Sequence, residues 1–122
     1  MARKDSLYFG KSCEHRVFAE LLKRGFDVYV PLLDNKVVDC IAEKDGKKFK
    51  IQIKGRQPRW IFNIGKINKS IDYFILLPPD DKIYCVPTSQ IIEWLHGKNK
   101  FNFDTADKKK DRDAYLGFEA LK

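Results

Sequence analysis

The sequence has little cysteine and no long hydrophobic run. Its three cysteines, Cys13, Cys40 and Cys85, are odd in number, lie far apart and form no Cys-x-x-Cys pair. We therefore predict neither a zinc site nor a disulfide framework, and interpret them as buried thiols of a protein in the reducing cytoplasm. The longest apolar run, Tyr73 to Leu77, is far shorter than the roughly 20 residues that span a membrane. No apolar stretch follows the charged N-terminal residues, so no secretion signal is expected.

Low-complexity segments and internal repeats are also absent, and the composition is that of an ordinary globular chain, with 43% hydrophobic and 34% charged residues. At about 150 residues per domain, a chain of 122 residues predicts a single domain, residues 1–122. The biased property is charge, because 24 Lys and Arg stand against 17 Asp and Glu, a net charge of +7. A positive excess suits a polyanion such as nucleic acid, although many basic proteins bind none.

Hydrophobic periodicity predicts two helices. The first spans residues 11–24, and Gly25 after it is a natural stop. Its inward stripe is predicted to be Val17, Phe18, Leu21 and Leu22. The second spans residues 88–96, with Thr88 or Ser89 as the N-cap. Its inward residues are predicted to be Ile91, Ile92 and Leu95.

Strand-like segments separate these helices and follow the first one. The predicted strands are residues 26–30, 37–43, 48–54, 60–64, 71–77 and 82–86. Residues 32–36 are predicted to form a turn, residues 104–113 a solvated charged segment, and residues 114–121 a last short helix. This order predicts an α/β fold with a mixed central sheet and helices on both sides.

One hairpin allows a geometric derivation. With Asp45 and Gly46 as a two-residue type I′ turn, Lys44 pairs with Lys47 and every cross-strand pair sums to 91. Asp39 then lies opposite Gln52, and Lys54 follows on the same face. The other face is wholly apolar, which supports the register because a one-residue slip would invert it. That face is Val38, Cys40, Ala42, Phe49, Ile51 and Ile53.

The first helix adds a second unusual feature. At 100° per residue, the azimuth of Glu14 coincides almost with the centre of the predicted apolar stripe, whereas Glu20 points well away. A carboxylate in line with a buried stripe is costly unless it is paired or binds a metal. The alternative is an ordinary, partly exposed helix residue.

Together these residues form a chemically sensible set. The oxygen ligands of Asp39, Gln52 and Glu14 suit a hard divalent cation, Mg²⁺ above all, for which Mn²⁺ can substitute. Such a cation can polarise a phosphodiester and lower the pKa of a bound water. Lys54 can orient that water or offset transition-state charge. The competing interpretation is that the hairpin residues are only the solvated face of an amphipathic strand pair.

Several stretches resemble the PD-(D/E)xK nuclease superfamily. They are Gly10-x-x-x-Glu14, Lys23-Arg24-Gly25-Phe26, Val38-Asp39-Cys40-Ile41-Ala42 and Ile51-Gln52-Ile53-Lys54, followed by the later strands at residues 71–74 and 84–87. The spacing from Gly10 to Glu14 and on to Gly25-Phe26 looks like that of archaeal Holliday-junction resolvases. Gln52 in the place of Glu is similar to the group I intron homing-endonuclease branch. The resemblance covers about residues 10–87.

The resemblance implies a restriction-endonuclease-like fold with a catalytic core at about residues 10–97, followed by an appended segment at 98–122. Asp39 would be the central metal ligand, Gln52 the second ligand, Glu14 the helix carboxylate and Lys54 the catalytic lysine. The departures are Gln52, which lowers the negative charge of the site and hence its expected cation affinity, and Val38 in place of Pro.

Basic residues with interleaved aromatics follow Lys54 and suit DNA positioning. The candidate DNA contacts are Lys11, Arg56, Arg59, Trp60, Lys66 and Lys69. An equally good alternative is a surface loop that places Trp60 and Phe62 in the core or in a subunit contact. Lys108 to Lys110 are predicted to be solvated.

The sequence therefore predicts a Mg²⁺-dependent DNA endonuclease, either a junction resolvase or a site-specific homing or restriction-type enzyme. The alternative is a nuclease-like DNA-binding accessory protein that does not cut, and Gln52 keeps that alternative open. A basic RNA-binding module is a third interpretation, but no recognised RNA motif is present. Because each small chain offers one site for two strands, a homodimer or higher homo-oligomer is expected.

Overall fold

The computed structural model describes residues 3–32 and 37–121. Its helices are α1 (Arg3–Lys23), α2 (Thr88–Leu95) and α3 (Ala106–Arg112). Its strands are β1 (Asp27–Tyr29), β2 (Cys40–Lys44), β3 (Lys47–Gly55), β4 (Ile61–Asn63), β5 (Tyr73–Leu77), β6 (Tyr84–Pro87) and β7 (Lys100–Asn102). Two 3-10 turns, Asp113–Tyr115 and Glu119–Leu121, follow α3 where a short helix was predicted. Most of the predicted turn at residues 32–36 lies outside the described residues.

A five-stranded mixed sheet in the order β1-β2-β3-β5-β6 forms the centre of the fold. Strands β1, β2 and β3 are antiparallel, β3 and β5 are parallel, and β6 returns antiparallel to β5. The hairpin turn has positive φ at Asp45 (53°) and Gly46 (80°), as a type I′ turn requires. Its ladder runs from Lys44↔Lys47 to Cys40↔Ile51, which confirms the predicted register.

The two faces of the sheet are covered by different helices. On one face, Val17 and Leu21 of α1 pack against the apolar side of the hairpin in a first core cluster. On the other face, Ile91 and Trp94 of α2 pack against Phe74 of β5 in a second cluster. Each fully buried side chain of this size contributes about 1.5–3 kcal/mol. The predicted α/β fold with helices on both sides of a mixed sheet is confirmed.

Helix α1 begins eight residues before the predicted start. Gly10 lies inside the helix, where a glycine costs only about 1 kcal/mol, and Phe9 beside it packs against the first cluster. The inward stripe is also narrower than predicted, because Leu22 is 59% exposed and Phe18 is only partly buried. Its buried members are Cys13, Val17 and Leu21, which follow one another at four-residue spacing.

The predictions for α2 were wrong in two details. Its N-cap is Pro87, with no side-chain cap, because the Thr88 hydroxyl donates a hydrogen bond to the Ile71 carbonyl (2.6 Å) and so ties the helix to the chain before β5. Ile92 is 41% exposed, and Trp94 is buried instead. None of the described helices has both the length and the apolar composition needed to cross a membrane.

The charged segment at residues 104–113, predicted to be solvated, forms α3 and is mostly exposed, with Lys108 as the exception. β7 pairs with β4 in a separate two-stranded ribbon. Lys108 of α3 is buried, with its ammonium 3.2 Å from Asp107 and above the Phe101 ring. The aliphatic stem of a lysine can cover apolar surface while its charge stays paired, and composition does not reveal that arrangement.

The three thiols provide a test of the core. Cys13 is 5% exposed and Cys40 and Cys85 are fully buried, and burial raises the pKa of each of these last two to about 12. Because the thiolate is the reactive form, we expect labelling by a maleimide at pH 8 to be at least about 100-fold slower in the folded protein than in guanidinium chloride. Rapid labelling of any cysteine without denaturant would contradict this packing.

Candidate active site

Asp39 lies at the end of the hairpin ladder, where its strand leaves the sheet. Its backbone N–H donates to the carbonyl of Ile51 (2.9 Å), and its carboxylate Oδ2 accepts the backbone N–H of Ile53 (2.6 Å). Asp39 is thus held against β3 beside Gln52, the residue between these two partners. Val38 before it packs against the second cluster, so the prediction that Val38 shares a face with Cys40 was wrong. The reason is that the ladder ends at Cys40.

The surroundings of Asp39 disfavour its negative charge. Burial is the largest effect and raises the pKa of its carboxyl group above the usual value. The hydrogen bond from Ile53 lowers that pKa, the carboxylate of Glu14 raises it, and the ammonium groups of Lys54 and Lys11 lower it. The ionised form therefore needs positive charge nearby. The same interactions show that Glu14, Lys54 and Lys11 surround Asp39 closely enough to act on it electrostatically.

Glu14 comes to this place from the opposite element, α1. Its side chain is 24% exposed, and the Lys11 ammonium lies 3.5 Å from its carboxylate, one helical turn earlier. Lys11, predicted as a DNA contact, is thus also part of the electrostatic environment of the acidic pair. Glu20, predicted to point away, pairs with Lys23 and Arg24 at the surface.

Gln52 and Lys54 alternate along β3 with Ile51 and Ile53, whose side chains enter the first cluster. Both are partly buried and lie on the opposite face. Lys50, further along this face, is exposed and is not among the charges that act on Asp39. The structure thus brings Asp39 within electrostatic reach of Glu14 and Lys54, with Gln52 as its neighbour on β3.

The oxygen atoms of Asp39, Glu14 and Gln52 suit a divalent cation. Among the described residues, no group of three or more His, Cys, Asp or Glu side chains is placed to hold a metal, so the donors are two carboxylates and the amide oxygen of Gln52. Two acids that act on each other, one of them raised in pKa by burial, are costly without a cation between them. Carboxylate and amide oxygens are the ligands that Mg²⁺ prefers.

The contact that sets the distance between α1 and β3 was not predicted. Gly55, the residue after Lys54, packs so closely on α1 that a Cβ at this position would overlap the Cys13 sulfur and lie 3.2 Å from the Phe9 ring. Cys13 precedes Glu14, so this approach also sets the depth of the Glu14 carboxylate. The four-residue spacing of the small Cys13 with Val17 and Leu21 was the signal for it.

A Gly55→Ala substitution is expected to lower the free energy of unfolding by about 1–3 kcal/mol, since overpacking at a close contact forces the backbone to move. Because α1 carries Glu14, the DNA cleavage predicted from the sequence should fall as well. Gly10→Ala is the matched control, since nothing lies within 4 Å of a Cβ there, and it should stabilise the helix by up to about 1 kcal/mol. Urea unfolding measures both. Equal stability of the two variants would contradict the close approach.

A second unpredicted contact joins α1 to the turn after β5. The Arg16 guanidinium lies 3.0 Å from the Asp81 carboxylate and also donates to the Asp81 carbonyl. Asp81 has a φ of 65°, which a turn residue such as Asp tolerates. Because Asp81 is 93% exposed, the ion pair contributes little to stability, although it marks where α1 meets the far edge of the sheet.

The candidate DNA contacts separate into two groups. Arg56 and Arg59 are exposed in the loop after β3, and the Arg56 Nε donates to the Ile61 carbonyl (2.9 Å). Lys66 and Lys69 are exposed on the loop after β4. Trp60 is half-buried against the second cluster, with the Arg112 guanidinium 4.5 Å above its ring. One face of the Trp60 ring is therefore already covered.

Comparisons with known proteins bear on the family and the fold of the chain. Residues 4–64 match a family model described as PD-(D/E)XK endonuclease. Among solved structures, the chain is similar to that of a bacterial homing endonuclease, I-Ssp6803I, with a TM-score of 0.70 and 16% identity over 92% of this chain and 88% of that one. At that identity the likeness is one of fold. No curated protein matches the sequence.

Proposed function

Because this chain belongs to the PD-(D/E)XK endonuclease family, we propose that it hydrolyses phosphodiester bonds in DNA at the site formed by Glu14, Asp39, Gln52 and Lys54, with Mg²⁺ or Mn²⁺ as cofactor. The family match confirms the resemblance inferred from the residues. The observation that carries the proposal is the placement of Asp39. Its carboxylate is anchored to β3 by the Ile53 N–H and is acted on electrostatically by both Glu14 and Lys54.

Asp39, Glu14 and Gln52 would hold the cation. A bound divalent cation would polarise the scissile phosphate and lower the pKa of a water molecule. The Ile53 N–H fixes one oxygen of the Asp39 carboxylate and so orients it before any ligand arrives. Gln52 contributes a neutral oxygen, which leaves two negative charges in the site. The repulsion toward an approaching phosphate is correspondingly lower than with three acids.

Lys54 would supply the remaining chemistry. Its ammonium lies on the same face as Gln52 and acts electrostatically on Asp39, so it can hold a water molecule for attack or offset charge as the phosphate becomes pentacovalent. Lys11 is tied to Glu14 and can neutralise a neighbouring phosphate. These two cations balance the two acids, which lets an anionic substrate approach an otherwise acidic centre.

The substrate we propose is a specific site in duplex DNA. This choice is supported by the likeness over almost the whole chain to a protein described as a homing endonuclease. The alternative substrate is a four-way junction. It is supported by the spacing of Gly10, Glu14 and Gly25, which resembles that of archaeal Holliday-junction resolvases. In either case two DNA strands must be cut, and each chain has one proposed active site. We therefore propose a homodimer or a higher assembly of dimers.

A panel of DNA substrates tests the proposal. The protein is incubated with plasmid, four-way junction, flap and single-stranded DNA in Mg²⁺, in Mn²⁺ and in EDTA. We expect metal-dependent cleavage that EDTA abolishes. Cutting of a rare duplex site supports the site-specific enzyme, and cutting of junctions alone supports the resolvase. Binding without cleavage of any of these substrates would overturn the proposal in favour of an accessory protein.

A further inference from the structure

The two-stranded ribbon β4–β7 has one buried face and one polar face. Phe62 and Phe101, a directly opposed pair, are both buried on the inner face. The outer face carries the exposed, directly opposed pair Asn63 and Lys100 and, at the next pair on that face, the exposed Asn102 opposite the partly buried Ile61. Exposure to water does not explain why two of these residues are asparagines, because any polar side chain would be solvated equally well.

Side chains of these types can read base edges. An asparagine amide can make a two-point contact with adenine, and a lysine ammonium can donate to the O6 and N7 atoms of guanine. The Oδ1 of Asn102 already accepts the backbone N–H of Asp104 (2.9 Å), which orients its amide and leaves the NH₂ group as donor. Within the part of the chain that the structure describes, neither Asn63 nor Lys100 has a side-chain hydrogen bond or ion pair.

The ribbon has the right dimensions for the DNA major groove. Two paired strands lie about 4.8 Å apart and rise about 3.4 Å per residue, so the backbone of the ribbon is about 10 Å long. The major groove is about 12 Å wide and admits a two-stranded ribbon, as several DNA-binding proteins show. An element of this size can bring side chains to three or four base pairs.

Basic residues flank the ribbon at one end. The carbonyl of Asn99 accepts the backbone N–H groups of Ile64 (2.9 Å) and Gly65 (3.0 Å), which closes the end of the ribbon. Beside this closure lies an open groove of about 260 Å³ whose lining includes Lys66, Lys69 and Lys98. Lysine ammonium groups beside a base-reading element suit the phosphates of the same duplex.

The ribbon is firmly supported from behind and attached to the active-site strand. The Phe62 ring stacks on that of Phe101 at 6.0 Å and meets the Phe103 ring edge-on. At the other side, Arg56 follows Lys54 by two residues and its Nε donates to the Ile61 carbonyl of β4. The ribbon therefore lies within one arginine side chain of the strand that carries the catalytic lysine. Rigid support of this kind positions reading groups accurately.

We propose that the β4–β7 ribbon enters the major groove and reads base pairs through Asn63, Lys100 and Asn102, while Lys66, Lys69 and Lys98 bind the flanking phosphates. This inference rests on the proposed function for its substrate, duplex DNA, and adds the element that selects the site. The proposal predicts different effects on DNA binding for the ribbon side chains and for the groove lysines. Loss of a ribbon side chain changes which sequence is bound, whereas loss of a groove lysine weakens all sequences alike.

The test separates binding from cleavage. A library of duplexes with randomised base pairs is selected on the Asp39→Asn protein, and dissociation constants are then measured for a selected duplex and a scrambled one. Asn63→Ala and Lys100→Ala should each reduce the ratio of the two constants at least about fivefold, the lower range for one base contact. Lys66→Ala should weaken both duplexes equally and lower the salt slope by about 1. Lys82→Ala, exposed between β5 and β6, is the control and should change neither.

The outcomes distinguish this proposal from the proposed function. If the native protein cuts DNA but selects no sequence, or if both ribbon variants keep the full preference, the ribbon proposal is overturned and the nuclease stands. If the ribbon variants lose sequence preference but the native protein cuts no DNA, the nuclease is overturned and the reading ribbon stands. Thermal unfolding checks that the exposed substitutions leave the fold intact.

Discussion

Replacing Asp39 by asparagine is expected to lower the rate of DNA cleavage by about 10³-fold, at the upper end of what one preorganised electrostatic group contributes. The amide keeps an oxygen that can accept the Ile53 N–H, so the geometry of the strand end survives. What disappears is the negative charge that would hold a cation. Single-turnover cleavage in Mn²⁺ measures the effect. A variant that cuts within tenfold of the native rate would contradict the assignment of Asp39 to the active site.

Stability provides an independent measurement of the same substitution. Because burial raises the pKa of Asp39, the folded state binds a proton more tightly than the unfolded state does, and ionisation costs stability as the pH rises above the unfolded value. A neutral asparagine avoids that cost, so without metal the variant should be as stable as the native protein or more stable. Saturating Mn²⁺ should stabilise the native protein, by about 2.7 kcal/mol at 100 times the dissociation constant, and the variant far less.

The matched control for this substitution is Asp72→Asn. Asp72 also binds a backbone N–H of β3 through its carboxylate, that of Lys50 (2.8 Å), but it is exposed. It therefore reproduces the structural role of Asp39 without its place beside Glu14. Cleavage and the Mn²⁺ effect should both stay at the native level in this variant. Equal losses in the two variants would mean that Asp39 acts only by supporting β3.

The residue pairing of the hairpin could be predicted because the turn and the alternation of side chains that determine it are local features of the sequence. A two-residue turn at Asp45 and Gly46 fixes the pairs as far as Cys40↔Ile51, and the alternation of side chains fixes their faces. Beyond the end of the ladder this alternation fails, as the position of Val38 shows. The position of Asp39 beside Gln52 follows from that arithmetic alone. Glu14 could be placed less securely, because the predicted stripe included Phe18 and Leu22, which the packing leaves half-buried or exposed. Its carboxylate acts electrostatically on Asp39, and its role at the site stays a prediction.

The features that escaped prediction depend on contacts between distant parts of the chain. Strand β4 was predicted, but its partner β7 lies beyond α2, and no local signal identifies such a pairing. The burial of Lys108 arises from the aromatic rings that the same pairing brings together. The close approach of Gly55 to Cys13 likewise could not be predicted, because it depends on how α1 packs against β3. The local sequence determines which segments form strands. The packed core determines which strands pair and how deeply their side chains are buried.

Replacing Lys54 by methionine is expected to lower the cleavage rate by about 10²–10³-fold, with the Mn²⁺-induced stabilisation retained. Methionine keeps most of the aliphatic stem and removes the ammonium, so the partly buried position stays filled. Since Lys54 is not proposed as a cation ligand, metal binding should persist, and this separates its role from that of Asp39. Arginine at this position keeps the charge but spreads it over a planar group, so Lys54→Arg should recover only part of the rate.

Lys50→Met is the matched control, because Lys50 lies on the same strand and face four residues away, is exposed, and does not act on Asp39. Its cleavage rate should stay within about threefold of native at saturating DNA, and any loss should appear in DNA affinity as a phosphate contact would. If Lys50→Met and Lys54→Met reduce single-turnover cleavage equally, the effect comes from general positive charge near DNA and not from an ammonium at the reacting phosphate. A loss confined to Lys54→Met, with Mn²⁺ still bound, assigns that ammonium to the chemical step.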